Sequence, residues 1–180
     1  MRYKMGRLVE QISLKCGIAK CETVSGVNID KRFMPSRNVG ADTSNYLLVP
    51  HGCFAFNLMH VGRDEKIPVA YNDMQEEVVV SSAYFVFRVT DESVISSEYL
   101  FMLMASPEFD RYAWFCTDSS VRGNLDWKTF CDIEIDLPPN DVQRHFADTY
   151  MAIMRNENYR TKLGNIAPIL IKGSLEEADA

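Results

Sequence analysis

EVVVSSAYFVFRVTDESVISSEYLFMLMASPEFDRYAWF, residues 77–115, decides the fold. Its first part carries Val78, Val79, Val80, Tyr84, Phe85, Val86, Phe87 and Val89. β-Branched and aromatic side chains pack well on a pleated, half-buried surface, so this part reads as strand. Its second part changes period. Ser96 or Ser97 is placed to cap a helix through its hydroxyl, and Glu98 falls in the first turn, at the positive end of the helix dipole. Leu100, Phe101, Leu103 and Met104 crowd one apolar face. Ser106-Pro107 starts a second helix, because the first turn has no use for the N–H that proline lacks. Phe109, Tyr112, Ala113 and Phe115 then recur at helical spacing, so Tyr112, Trp114 and Phe115 are expected to pack in the core rather than to form a base-stacking platform. A sheet followed by helices packed on it is an α+β plan, with a mixed or mostly antiparallel sheet.

Upstream, short strands are expected around Leu8–Ile12 and Glu22–Ile29, and residues 35–44 have turn chemistry. Tyr46–Val49 and Cys53–Leu58 flank Pro50-His51-Gly52 and read as a hairpin. Ile67–Tyr71 is a further strand. Downstream, Asp126 is placed to cap a short helix over Trp127–Phe130, and Ile133 and Ile135 alternate with acids as a half-exposed strand. Pro138-Pro139 ends that strand. Asn140, with Gln143 three residues on, resembles a capping box for a last helix. Val142, Phe146, Tyr150, Ile153 and Met154 form one apolar stripe on it. The stripe weakens past Asn156, and Gly164 and Pro168 are expected to end the helix. The expected division is a domain over 1–137, a helix over 138–166 that projects from it, and a polar tail over 167–180. The stripe needs the domain or another chain to cover it.

The chain has 180 residues, 47% of them hydrophobic, which suits one domain with a full core. No apolar run reaches the roughly 18 residues a membrane span needs, and the N-terminus lacks the apolar core of a signal peptide, so a cytoplasmic protein is expected. Five cysteines at irregular spacings point to reduced thiols rather than a disulfide framework. Cys16, Cys21, His51 and Cys53 are a loose match to zinc spacing, and no metal is expected. The net charge of −6 argues against general nucleic-acid affinity. The distribution is uneven, with eight Lys/Arg against three acids in residues 1–40, and Lys31 and Arg32 are expected to serve phosphates or solvent.

No catalytic centre is legible. His51 and Cys53 lie close in sequence, but no nucleophile elbow or metal signature accompanies them. There is no glycine-rich phosphate loop, no dinucleotide fingerprint and no acidic-aromatic methyltransferase tetrapeptide, so no cofactor is expected. Two glycine-hinged polar loops carry the remaining chemistry. The first holds Asn57, His60, Arg63, Asp64 and Lys66 around Gly62; the second holds Ser119, Ser120, Arg122, Asn124 and Lys128 around Gly123. Arg grips guanine O6 and N7 with its fork, amides and hydroxyls read other base edges, and Lys serves phosphates. Arg37 and Asn38, in the Pro/Ser turn, are a third cluster. Solvated turns with surface ion pairs are the competing reading of all three.

Taken in order, GVNIDKRFMPS (26–36), GADTSNYLLVP (40–50), FAFNLMHVGRD (54–64), IPVA (67–70), EYL (98–100) with EFDRYAWF (108–115), SVRGNLDW (120–127) and LPP (137–139) followed by Gln143 carry a resemblance. Over roughly Val24 to Ile153 the chain resembles one target recognition domain of the specificity subunit of a type I restriction–modification enzyme. The resemblance implies a non-catalytic subunit with two such domains, each reading one half of a split double-stranded DNA target. It implies helices that pair as a coiled-coil spacer and dock the methyltransferase (modification) subunits, and through them the restriction subunit. This chain departs from the pattern, since it has one recognition domain and one spacer helix. A half-subunit that dimerises through Val142, Phe146, Tyr150 and Ile153, which would restore the second half, a truncated product and an excised domain are all compatible with that departure.

Overall fold

The side chains of one three-residue strand place the core. The computed structural model describes residues 1–57, 65–117 and 124–178, with side chains of the last helix described as far as 157 and at 159 and 161. In β6 (Phe54–Phe56) all three residues are buried, but on opposite faces. Phe54 and Phe56 enter the larger apolar cluster and Ala55 enters a smaller one. Alternation with period two produces this split, and it requires that both faces of the strand be covered.

β6 lies in a central four-stranded antiparallel sheet, order β2-β9-β6-β7, with β2 (Val9–Ile12), β7 (Val69–Tyr71) and β9 (Phe85–Val89). A second sheet, order β4-β3-β8-β5, contains β3 (Ser25–Val27), β4 (Phe33–Pro35), β5 (Leu47–Val49) and β8 (Val78–Val80), with β3 and β8 parallel. It covers one face of the central sheet, joining Leu47, Val49, Val78 and Val80 to Ala55 and Val86. The other face carries the helices α1 (Ser97–Met104), α2 (Pro107–Phe115) and α3 (Trp127–Asp132), and the start of α4 (Asn140–Ala178). Its core is aromatic: Phe54 stacks on Phe87 at 4.8 Å, and Phe130 lies 4.8 Å from Phe56. Each such ring contributes about 1.5–3 kcal/mol by leaving water. A short pair, β1 (Arg2–Lys4) with β10 (Glu134–Asp136), ties the N-terminus to the segment before α4.

The α+β class and the projecting last helix are as the sequence indicates. Four local readings are corrected. The expected hairpin of 46–49 with 53–58 does not form, because β5 pairs with β8 while β6 pairs with β7 and β9. Gly52, at φ +78°, turns the chain from one sheet to the other, and buried Asn72 fixes the crossing by donating to Val49 O at 2.8 Å and Glu76 O at 2.9 Å. The run 77–89 is likewise two strands, one in each sheet. Asn140 and Gln143 do not form a capping box. Asn140 donates to Ser93 O and buried Gln143 to Val94 O and Pro138 O, which anchors α4 to the loop before α1. The backbone of α4 continues through Gly164 and Pro168 to Ala178.

Candidate nucleic-acid interface

The first polar loop leaves one end of the central sheet, and the segment to which the second returns packs against that same end. The first departs from β6 at Asn57 and returns at Ile67, and its neck is closed by the Asn57 N–H donating to Pro68 O at 3.0 Å. Phe56 and Phe85 are register partners at this end. The second loop departs from α2 and returns at Asn124, just before Trp127, which stacks on Phe85 at 5.7 Å with ring planes 1° apart. Asp126 caps α3 by accepting from the Thr129 N–H at 2.9 Å and the Thr129 hydroxyl at 2.6 Å. Those hydrogen bonds, the hydroxyl's first, hold its carboxyl pKa below the ordinary value.

A buried ion pair ties the base of the first loop to α2. Lys31 Nζ donates to Asp110 Oδ1 at 2.5 Å and to Ile67 O at 2.8 Å, and the Ile67 N–H donates to the same carboxylate oxygen at 2.9 Å. The β3–β4 turn, the return of the first loop and α2 therefore meet at one point. Lys31 is 6% exposed and stands at φ +61°, in the left-handed region that costs a non-glycine residue energy. Asn28 supports the turn, accepting the Arg32 N–H on its side chain and the Lys31 N–H on its carbonyl. Burial pulls the Lys31 pKa down, and the Asp110 carboxylate opposes the shift. The expectation that Lys31 serves phosphates or solvent is thus overturned, and Arg32 pairs with Glu157 of α4 at 3.6 Å.

Of the residues expected to read DNA, the structure describes six. Lys66 and Lys128 are exposed beside the first and second loops, and Asn57 and Asn124 are half-buried at their necks. Arg37 and Asn38 are exposed just past β4, a strand of the second sheet. His60, Arg63, Asp64, Ser119, Ser120 and Arg122 lie outside the described residues. A groove of about 700 Å³ runs between the β3–β4 turn, Lys66, the start of α2 and α4. Its lining has four cations (Lys31, Arg32, Lys66, Arg111) and four acids (Asp30, Glu65, Asp110, Glu157), so it is no anion-selective cup.

The aromatic end of α2 is a second correction. Phe109, Asp110 and Ala113 fill the buried arc of this nine-residue helix, which leaves Tyr112, Trp114 and Phe115 outward at 42%, 45% and 83% exposure. Phe115 stands directly before the second loop. Sequence reasoning also missed the clasp. Its signal was Asp110, an acid inside the arc between Phe109 and Ala113 where a charge needs a partner.

The expected interface residues divide on α4. Ala147, Met151 and Tyr150 face the domain, with Tyr150 edge-on to Phe101 at 6.1 Å. Phe146 and Ile153 are each 53% exposed, and Val142 is half-buried. His51 is exposed and hydrogen-bonds Met74 O through Nδ1, while Cys53 is buried with its thiol pKa raised by that burial, the opposite of nucleophile activation. Among the described residues no three metal-ligating side chains converge, and no helix is long and apolar enough to cross a membrane.

This architecture is the fold of specificity (S) subunits of type I restriction–modification systems. The S subunit of M. genitalium matches with a TM-score of 0.56 over 94% of this chain at 13% identity. A chain from a structure of complex assembly and conformational transition in a type I system matches with a TM-score of 0.53 over 87% at 12% identity. This chain spans 43% and 38% of those two chains. No family profile and no curated relative matches the sequence.

Proposed function

We propose that this chain is a target recognition domain with its spacer helix, reading one half of a split DNA site and directing methyltransferase and endonuclease subunits to it without catalysis of its own. The observation that supports the reading is that the first loop leaves, and the return of the second packs against, one end of the central sheet, in a fold shared with type I S subunits. Arg63 and Arg122 are the base readers in this reading, with His60, Ser119, Ser120, Asn57 and Asn124 as further donors and acceptors. Lys66 and Lys128 hold phosphates, and Phe115 adds a ring for sugar or base contact beside the second loop. Arg37 and Asn38 contribute a more distant backbone contact.

The test is selection of bound duplexes from a random DNA pool, with and without a modification subunit. Recovery of one half-site of about three to five base pairs supports the reading, and pools unenriched in both arms overturn it.

The outward face of α4 favours a companion role. Val142, Phe146 and Ile153 repeat at intervals of four and seven residues, which is coiled-coil spacing, and the latter two are exposed. A second copy or a modification subunit covers this face in the working protein. A two-fold dimer of this kind reads a palindromic split site, because protein symmetry maps onto target symmetry.

A further inference from the structure

A pair of cysteines between β2 and β3 forms a site of its own. Cys16 and Cys21 bracket Gly17-Ile18-Ala19-Lys20 between β2 and β3, and their sulfurs lie 2.8 Å apart in hydrogen-bond contact. Both are half-buried. Five hydrogen bonds to the neighbouring stretch hold the turn. The Cys16 N–H donates to Tyr46 O and the Gly17 N–H to Ser44 O. The Cys21 N–H donates to the Thr43 hydroxyl oxygen, which itself donates to Ile18 O, and the Thr43 N–H donates to Ala19 O. Gly17, at φ +70° with open space around it, lets the chain reverse between the two thiols. Folding therefore aims the sulfurs at each other, at a separation that a small approach converts to a bond of about 2.05 Å.

We propose that Cys16 and Cys21 are a dithiol site for low-molecular-weight disulfides, and that exchange with one closes a Cys16–Cys21 disulfide. One cysteine thiolate attacks the reagent's S–S bond and releases the first reagent thiolate. The other attacks the cysteine sulfur of the mixed disulfide and releases the second. The reagent's S–S bond breaks and the Cys16–Cys21 bond forms. Two electrons pass to the reagent, and the two cysteine protons end on the two released thiols. The hydrogen bond with Cys21 holds Cys16 towards its thiol form, so the exchange quickens as pH rises. The proposal is independent of DNA recognition.

The full chain is equilibrated in glutathione buffers of graded oxidised fraction, quenched with acid, alkylated and digested with trypsin. Cleavage after Lys15 and Lys20 places the two cysteines on CGIAK and CETVSGVNIDK. The expected product is these two peptides joined, with free thiols falling from five to three and Cys53, Cys116 and Cys131 alkylated. The folded chain should close the bond at a poise more reducing than the urea-unfolded chain, by on the order of tenfold or more in oxidant ratio. Cys21→Ser should yield no joined peptide and only free or glutathione-capped Cys16. Both thiols alkylated at every ratio, a reaction that stops at a glutathione adduct, pairing with another cysteine, or equal behaviour of folded and unfolded chains would each overturn it.

Discussion

Lys31 and Asp110 show how much one pair of charges constrains here. The pair is buried, so neither charge is solvated if the other is removed, and the survivor keeps the full desolvation cost. Asp110→Asn and Lys31→Met are each expected to lower stability by about 3–5 kcal/mol in guanidinium titrations. The double variant Lys31→Met with Asp110→Leu should lose less than either single change, because no unpaired charge remains buried. Strictly additive losses in the double-mutant cycle would show that the two residues act independently. Ile67 also hangs its N–H on the Asp110 carboxylate, so the single variants disturb the return of the first loop as well as the core. Phe115 is the opposite case. Its 83% exposure predicts that Phe115→Ala changes stability by no more than about 0.5 kcal/mol while weakening duplex binding.

At the scale of elements, what was legible in the sequence is what is decided locally. Ser96, Ser106 and Asp126 cap their helices as read, because a cap hydrogen bond spans only three residues. Strand partners were not legible. Leu47–Val49 and Phe54–Phe56 carry the same apolar chemistry, yet they pair in different sheets, with the Gly52 turn and buried Asn72 at the crossing between them. β1 pairs with a segment more than 130 residues away, and its three residues carry no pattern that names this partner. Of the candidate site, the two polar stretches are read from composition, whereas the contacts beside them, the Phe85–Trp127 stack and the Lys31–Asp110 clasp, are long-range and carry no local signal. The Asp126 cap has a pH signature. Its carboxyl pKa is depressed in the fold, so its stabilisation is present above the unfolded value of about 3.9 and is lost as pH falls through the lower folded one. Asp126→Ala should therefore cost about 1 kcal/mol at neutral pH, and the difference from the parent should close in strong acid. On α4, Met151→Ala opens a cavity against α1 and should cost about 2–5 kcal/mol. Phe146→Ser with Ile153→Ser removes only outward side chains. Light scattering should then show lost association with an unchanged monomer transition, and a fall in monomer stability as large as that of Met151→Ala would remove the case for a free interface.

For the whole molecule the proposed function has to account for how a chain of net charge −6 would hold a polyanion. That charge argues against general attraction, so under the proposed function binding would come from a few local cations placed against phosphates, with base contacts supplying the rest. Each phosphate contact releases counterions, and the slope of log affinity against log salt counts them. Lys66→Ala and Lys128→Ala, both at exposed positions beside the loops, should each flatten that slope by about one unit. Each should weaken selected and scrambled duplexes alike. Arg63→Ala and Arg122→Ala should instead cost about 1–3 kcal/mol on the selected duplex alone and relax its sequence at one position. The two classes of variant separate cleanly because one reads charge density and the other reads a base edge. If all four substitutions left the slope and the selected sequence unchanged, the loops would be solvated turns, and the end of the central sheet beside them would not face DNA.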